Sequence, residues 1–389
     1  MATEYIASLS NRIFIKSEID SPAVNNMETA QIAPILSLEL SSNRKQLFRR
    51  DKTGFRSEAP ILGPQRELIE FALESYGTGW SGGTIKPSIS PILESGLCNS
   101  THLDGAVIVE TSSGTAITLQ ANAILSIGMG LSFGSEIRFV AAVSSTTSFT
   151  LNAPFSVQLS SGAQLDGCAN LSAADTSNPM AILDTWAPAQ SIQRFVTGAV
   201  SDQLRISVNN EFVEVSAKGF ARNLYDNVSG SGGAEFVFPT SPINSSPLSN
   251  APIAGHLGQA FIGLPAARLC TLTQADIRID NNIEPRTDEF GCFSTKAFVL
   301  GRRKVTLNLT IFQRNDELSQ ALFAKAVNNE PVAVMLQMGN QPGSMFAVYL
   351  PAVLFPVPAF NDDQPRLLWQ FRNALAMGLQ NDEVFIAMR

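Results

Sequence analysis

The sequence predicts a mainly β protein. It consists of two tandem β-sandwich or β-barrel modules with a flanking helix, plus a small all-β domain inserted into the first module. Three observations support this prediction. A β-rich pattern occurs twice, about 238 residues apart. Short runs alternate apolar and polar residues. Gly, Pro and hydroxylated residues are frequent, as turn-rich β proteins require.

The repeat consists of a strand, a charged turn and a second strand. The first copy lies at residues 36–73 and the second at residues 276–311, with Gly63 and Gly301 at matching positions. Self-similar modules usually bury their surfaces against one another in arrays or rings. The alternative is that two unrelated hairpins share the same alternation.

The first module is predicted to occupy residues 1–100 and 173–229. Its strands and one short helix are expected, in chain order, at residues 12–16, 36–40, 68–76, 92–97 (the helix), 196–200, 203–208 and 213–217. Residues 101–172 separate its two parts. There the charge almost disappears and short strands recur about every ten residues, which is typical of a small all-β domain. Those strands are expected at residues 106–110, 115–119, 136–143 and 148–151.

The linker and second module are predicted to occupy residues 230–389. A stretch rich in Gly, Ser, Pro and Asn precedes the module at residues 226–258. The clearest helix signal in the chain starts at Asp316 and ends at Asn329, with an acidic first turn and apolar residues at helical spacing. Further strands are expected at residues 332–338, 345–353, 366–371 and 383–388.

Composition excludes some classes of function. The 389-residue chain has a net charge of −7 and only 16% charged residues. This charge argues against tight wrapping of nucleic acid, which requires clustered Lys and Arg. No secretory signal is expected at the N-terminus. No apolar run is long enough to predict a transmembrane helix.

The cysteines and histidines do not form a recognisable metal site. The four cysteines lack CxxC spacing and are expected to be buried thiols in a reduced compartment, and a bond between the first two is disfavoured. They are Cys98, Cys168, Cys270 and Cys292. With only His102 and His256, no metal or other cofactor is expected.

Three glycine-rich stretches match catalytic or nucleotide-binding patterns. Residues 79–83 and 130–134 fit GxSxG, and residues 77–82 fit GxGxxG. The first pattern needs a strand-to-helix turn, and the second needs a helix whose N-terminus faces a pyrophosphate. Neither context is predicted here, so we expect no enzyme.

Two equivalent loops carry opposite charge. The loop at residues 44–56 sums to +5 and the loop at residues 280–289 sums to −3. Both are expected either to be solvated hairpin tips or to be complementary inter-subunit contacts, because charge sets orientation and partner choice. The candidate contact residues are Arg44, Lys45, Arg49, Arg50, Lys52, Arg56, Asp280, Glu284, Asp288 and Glu289.

Several segments together resemble the major tail tube proteins of long-tailed bacteriophages. They are residues 276–291 and 301–310 with the acid-started helix, residues 204–220, and residues 51–57 with the strand that follows. The resemblance covers most of the chain outside residues 101–172. It implies β modules whose inner sheets join around a ring, and rings that stack into a tube for genome passage.

The resemblance also implies partners and a location. Most members have one module and form hexameric rings, so two modules per chain imply a pseudo-hexameric trimer. Other tail proteins (tape measure, tail terminator and distal tail proteins) are expected partners, and double-stranded DNA is expected to pass an acidic lumen without specific binding. The protein is expected in the virion tail after synthesis in the bacterial cytoplasm, with no membrane contact. The insertion is expected to lie outside the tube wall and to be dispensable for assembly. The basic and acidic loops are expected to contact each other between stacked rings, because directional growth of a tube requires the two faces of a ring to differ and to fit each other.

The sequence is also compatible with two other functions. The chain fits another virion structural part, such as a distal tail or decoration protein. The low-charge insertion also fits a carbohydrate-binding or adhesion module. Such a module usually exposes aromatic residues, and the insertion has only phenylalanines, with no Trp or Tyr.

Overall fold

The computed structural model describes residue 6 and residues 8–18, 31–32, 34–44, 47–48, 51–52, 54, 56–57, 67–186, 192–208, 211–228, 238, 251–263, 266–287, 289–290, 294–363 and 365–389. Within these residues the protein is mainly β and has two α-helices, which confirms the predicted fold class. Gly63, which matches Gly301 in the predicted repeat, lies outside the described residues, as does most of the predicted linker.

The elements follow one another in four groups. The chain begins with β1 (Asn11–Ser17), β2 (Gln31–Ile32), β3 (Ile35–Arg44), β4 (Glu67–Tyr76) and α1 (Ser90–Leu97). The insertion follows, with β5 (His102–Leu103), β6 (Val107–Ser113), β7 (Ala116–Leu119), β8 (Gly130–Phe133), β9 (Glu136–Val143), β10 (Ser148–Leu151), β11 (Gln164–Gly167) and β12 (Ala169–Ser172). The next group is β13 (Met180–Trp186), β14 (Ile192–Val208), β15 (Val213–Ala221) and β16 (Asn223–Asp226).

The last group runs to the end of the sequence. It contains β17 (Gln259–Ile262), β18 (Ala267–Arg268), β19 (Leu272–Asp280), β20 (Glu284–Pro285), β21 (Phe298–Val299), β22 (Lys304–Phe312), α2 (Glu317–Asn328), β23 (Val332–Gln341), β24 (Ser344–Leu354), β25 (Ala359–Asn361), β26 (Leu368–Ala376) and β27 (Phe385–Met388). We call β1–β4, α1 and β13–β16 the first half, and β17–β27 with α2 the second half.

Helix α2 forms where the sequence predicts it. The Asp316 carboxylate accepts a hydrogen bond of 2.8 Å from the backbone N–H of Ser319, which caps the first turn. Leu322 and Ala326 form its buried face. Asn329 ends the helix in the left-handed conformation, with φ of 56°.

Strand β14 differs from its prediction. The two short strands expected at residues 196–200 and 203–208 are one 17-residue strand. Its register shifts between Ser201 and Gln203, so that its first part pairs with β13 and its second part with β15. A β-bulge bends the strand that carries it, and β14 thereby belongs to two sheets.

One sheet spans both halves. Its strand order is β3-β4-β15-β14-β19-β22-β26, and every neighbouring pair is antiparallel. We call it the long sheet. One of its faces is buried, and the other is open and polar.

Each half adds a back sheet behind the long sheet. The first back sheet has the order β2-β1-β13-β14-β16. The second has the order β18-β17-β23-β24-β27-β12-β5, so two strands of the insertion extend it. A single apolar cluster fills the space between the long sheet and both back sheets; it includes Phe71, Ile182, Leu307 and Val348.

The insertion contains a closed barrel of six strands, in the order β10-β7-β6-β11-β8-β9. The barrel has its own apolar core, which includes Val109, Leu131 and Phe149. It lies on the side of the second back sheet that faces away from the long sheet, where Phe139 stacks on Tyr349 at 5.3 Å between ring centroids. The layers are therefore the long sheet, the back sheet and the barrel.

Candidate assembly interface

The two halves meet along β14 and β19. Six residue pairs form this junction, from Gln203 opposite Asp280 to Val208 opposite Ala275. On the buried side, Ile206 and Ile277 face each other and both are fully buried. Backbone pairing fixes the register, and the buried pair excludes water.

On the open face an ion pair crosses the junction. Arg205 of β14 donates from Nε and Nη2 to the Asp276 carboxylate of β19, with a shortest distance of 2.5 Å. The hydrogen bonds to Asp276 raise the pKa of Arg205. A forked guanidinium–carboxylate contact adds orientation as well as attraction, although solvent screens a pair this exposed.

Buried amide contacts hold the loop end of the junction. Asn281 donates from Nδ2 to the carbonyl of Gly96 at 2.8 Å and to the carbonyl of Ser201 at 2.9 Å. Asp202 accepts from the N–H of Ile283 at 2.7 Å. The hairpin loop after β19 is therefore tied to the first half at its base.

The long sheet ends at β3 on one side and, beyond β26, at β25 on the other, and neither β3 nor β25 has a further described neighbour. At one end is β3, where Leu36 is 45% exposed. At the other end, residues 353–361 run beside β26, and Val357 and Phe360 are 55% and 59% exposed. Phe360 packs on one side against Trp369, with ring centroids 5.9 Å apart. Open strand edges that carry apolar side chains are suited to pairing with another chain.

The predicted basic residues are only partly described. Arg44 pairs with Glu67 at 3.4 Å, and Lys52 and Arg56 are exposed. The remaining three predicted basic residues, Lys45, Arg49 and Arg50, lie outside the described residues.

The predicted acidic residues are also only partly described. Asp280 accepts from Arg278 at 2.8 Å, Glu289 pairs with Arg286, and Glu284 is exposed in β20. Asp288 lies outside the described residues.

Both charged loops leave the same edge of the long sheet. Arg44 lies opposite Glu67 at the loop end of β3 and β4, and Asp280 lies opposite Lys304 at the loop end of β19 and β22. The strand directions through β15 and β14 place these two ends together.

Sequence reasoning missed the Arg205–Asp276 pair and the junction that it crosses. Alternation in each strand marks Ile206 and Ile277 as buried, but alternation does not tell which strand pairs with which. The available signal was the basic residue in one strand and the acidic residue in another, and many other pairs in the chain fit that description.

The glycine-rich motifs have structural roles. Ser132 of the second GxSxG stretch lies in β8 and is buried. The first stretch lies in a loop, where the backbone of Gly79 approaches that of Gly343 and Met345. Neither serine lies in a strand-to-helix turn of the kind that an activated nucleophile needs.

The cysteines only partly match their prediction. Cys98 and Cys168 are buried free thiols, and burial raises the pKa of Cys168 to about 12. Cys270 is exposed, so its prediction as a buried residue is wrong; it lies between β18 and β19 at the surface. Cys292 lies outside the described residues.

One large groove among the described residues offers no evident ligand site. It is an open groove of about 1080 Å³ at the loop end of the second half. Its central cation, Arg303, already donates to Glu383 at 3.0 Å and to Asn381 at 3.1 Å. Among the described residues, no cluster of three or more His, Cys, Asp or Glu side chains is arranged to hold a metal. No described helix is long and apolar enough to cross a membrane.

Comparison with known proteins gives one match. The model of the family described as phage tail tube protein matches residues 99–368, which is more than half of the chain. The match spans the barrel, the junction and most of the second half. No curated protein sequence matches the chain.

Proposed function

Because this chain belongs to the phage tail tube family and is a structural tail protein of the virion, we propose that it assembles into rings of three copies. The rings stack into the tube that conducts the genome from the capsid to the host. In a structural family of this kind the role is non-enzymatic, and no catalytic step is part of the proposal.

The observation that carries this proposal is the matching set of strand pairings in the two halves. In the first half the paired strands are β1–β2, β1–β13, β3–β4, β4–β15, β13–β14, β14–β15 and β14–β16. In the second half they are β17–β18, β17–β23, β19–β22, β22–β26, β23–β24, β24–β26 and β24–β27. Each of these seven pairings in one half has a counterpart among the seven in the other, and a helix follows β4 and β22 alike. This correspondence supports an internal duplication.

The junction within the chain serves as a template for the contact between chains. In the duplicated arrangement β3 is the counterpart of β19, and residues 353–361 are the counterpart of the second part of β14. The proposed ring contact therefore joins β3 of one copy to residues 353–361 of the next. The exposed side chain of Phe360 would then lie in this contact.

Exposure supports the same contact. Ile206 and Ile277 are fully buried at the internal junction, whereas Phe360 is more than half exposed at the open edge. Pairing with β3 of a neighbouring copy would cover that surface and leave no open edge in the ring. Three copies supply six halves, which gives a pseudo-hexameric ring.

The open face of the long sheet is the proposed lumen wall. The charged side chains that alternation places there are Glu39, Glu70, Glu74, Glu214, Asp276 and Asp280, against Arg205, Lys218, Arg278, Lys304 and Arg372. This set sums to −1, a weaker acidity than we expect from the net charge of −7. We propose that DNA passes because the positive charges are dispersed, and because Arg205 and Arg278 are paired with carboxylates, rather than because the wall strongly repels phosphate.

The charged loops are proposed to contact each other side by side. Both loops leave the same edge of the long sheet, so in a head-to-tail stack they point in one direction. A direct contact between basic and acidic loops across stacked rings, as the sequence alone favours, is therefore less suitable than a lateral contact. Around a ring of six halves basic and acidic loops alternate, and each loop has neighbours of opposite charge.

The remaining partners follow from the same role. We propose that the ends of the tube contact tape measure, tail terminator and distal tail proteins, and that the chain is made in the bacterial cytoplasm. A distal tail or decoration protein is the competing function within the virion, and a carbohydrate-binding or adhesion module is a further one.

Electron microscopy of the purified protein separates these functions. A tail tube protein forms hollow filaments of constant diameter, either alone or when seeded with tail tips. A distal tail protein forms single closed rings. A decoration or adhesion module stays monomeric, and persistent monomers under seeding conditions would overturn the proposal.

A further inference from the structure

The barrel is attached to one half of the chain and packs against the other. The chain leaves the first half after α1, forms the barrel, and returns to the first half at β13. The apolar surface that the barrel contacts belongs to the second half. Ile137 and Phe139 of the barrel pack in one cluster with Met335, Tyr349 and Phe385.

The strands at the base of the barrel strengthen this contact. Four residue pairs join β12 to β27, from Ala169 opposite Met388 to Ser172 opposite Phe385. Backbone hydrogen bonds therefore link the insertion to the second back sheet, in addition to side-chain packing.

Two glycines allow the barrel to lie directly on the second half. A Cβ built on Gly130 would lie 2.4 Å from Cβ of Ala387, and one built on Gly128 would lie 2.1 Å from the ring of Phe385. Neither distance is compatible with a real contact. Cβ of Ala387 belongs to a buried strand and has little freedom to move.

Polar side chains fix the orientation of the barrel. Gln337 of β23 is buried; its Oε1 accepts from the N–H of Ile137 at 2.9 Å, and its Nε2 donates to the carbonyl of Ser135 at 2.8 Å. Arg138 of the barrel lies over the ring of Phe261 at 4.5 Å. Such contacts select one orientation, because each buried polar group loses its partner in any other.

Further contacts connect the barrel to both halves at once. Arg389, beyond β27, pairs with Asp166 of the barrel at 3.1 Å and lies over Trp80 of the first half at 5.7 Å. After the barrel, the carbonyl of Ala174 accepts from Arg303, which precedes β22.

We propose that the inserted barrel fixes the angle between the two halves, and that it thereby sets the curvature of the ring. The chain between the halves and the β14–β19 junction provide one connection, and the barrel provides a second on the far side of the back sheet. Two connections on different layers prevent rotation about the junction. This role rests on the proposed ring assembly, and it replaces the expectation that the insertion is dispensable.

The test compares two glycine variants of the full-length chain. Gly130→Ala places a methyl group against Ala387, whereas Gly105→Ala, in the segment between β5 and β6, places one in open space. Limited proteolysis of each monomer measures the release of a fragment that contains the barrel. We expect release at least ten times faster in Gly130→Ala than in the unaltered chain, and no change in Gly105→Ala.

A second variant guards against simple misfolding. Gln337→Met keeps the size of the side chain and removes its hydrogen bonds to the barrel. We expect both Gly130→Ala and Gln337→Met to retain the circular dichroism of the folded chain while the yield of regular tubes falls at least tenfold. An unchanged rate of proteolysis in both variants would overturn the proposal that the barrel is fixed to the second half. Faster proteolysis with normal tubes would show that the barrel is held as described but does not set curvature, and would overturn the proposal equally.

The same experiment distinguishes this proposal from the proposed function. If the unaltered protein forms no tubes, the ring assembly fails. The proteolysis comparison still reports on whether the barrel is fixed to the second half.

Discussion

At the scale of single residues, the buried ion pair of the barrel is the feature whose stability depends most on both partners being present. Arg138 is 1% exposed and lies 3.0 Å from Glu136. Desolvation by burial lowers the pKa of Arg138, and Glu136 acts against this shift. Desolvation acts to raise the pKa of Glu136, but the N–H of Ser156 and the charge of Arg138 outweigh it, and the pKa is lowered. Each charge is tolerated because the other is present.

Removing one partner of this pair is expected to be costly. Glu136→Ala leaves the guanidinium of Arg138 buried without a counter-charge, and we expect the free energy of unfolding to fall by about 3–5 kcal/mol. Glu110→Ala, an exposed carboxylate on the same barrel, should change it by less than about 0.5 kcal/mol. Urea denaturation measures both. Equal effects would show that the pair is not the stabilising feature.

The exposed apolar residues at the two ends of the long sheet give a second prediction. Phe360→Asp and Leu36→Asp each place a charge in the proposed ring contact, so we expect both variants to stay monomeric. Ile124→Asp changes a residue of the barrel that is 96% exposed and should leave assembly intact. Size-exclusion chromatography with light scattering measures the outcome. Normal assembly of either edge variant would exclude that edge from the interface.

At the scale of elements, the cap of α2 makes a prediction about pH. The hydrogen bonds from Ser319 lower the pKa of Asp316. A carboxyl group with a lowered folded pKa stabilises the fold above its unfolded pKa of about 3.9, and it loses this effect as pH falls through the folded pKa. Asp316→Ala should therefore cost about 1 kcal/mol at pH 7, and the difference from the unaltered chain should shrink below about pH 4. Chemical denaturation across pH checks this expectation; a difference independent of pH would show that the carboxylate charge is not involved.

The charged loops give a prediction about assembly rate. Reversing Arg49, Arg50 and Lys52 to Glu should slow tube growth, because adjacent loops would then repel each other. Reversing Asp280, Asp288 and Glu289 to Lys in the same chain should partly restore growth. Exposed ion pairs contribute only about 0.2–1 kcal/mol each, and salt screens them, so the effect should be largest at low ionic strength. Light-scattering kinetics measure the growth rate. If chains with only the basic loop reversed and chains with only the acidic loop reversed both grow normally at low salt, the loops are only solvated tips.

Individual elements show how far sequence reasoning reaches. Helix α2 and strand β9 were predictable, because each has its own local signal: a capping aspartate for the helix and sustained β-type residues for the strand. The joining of two predicted strands into β14 was not predictable, because the bulge near Ser201 depends on which strands lie on either side. The packing of the barrel on the second half could not be predicted from the sequence either, because Gly128 and Gly130 have the local sequence context of ordinary turn glycines.

At the scale of the whole molecule, the chain contains within itself one contact of the kind that the proposed ring needs between neighbouring chains. The β14–β19 junction joins the two halves within the long sheet, and the exposed edges at the ends of that sheet are the proposed counterparts of the strands in the junction. In the proposed ring the same contact therefore occurs both within a chain and between neighbouring chains. Closed cyclic symmetry follows if every junction has the same angle, and the barrel is proposed to hold that angle.

The number of chains in one ring tests this account most directly. Native mass spectrometry of isolated rings, supported by the symmetry of top views in electron micrographs, gives that number. The account predicts a mass three times the 41.8 kDa of the chain, with six similar lobes and threefold symmetry. A ring of six full chains would contradict it, because each half would then not occupy one of six equivalent places.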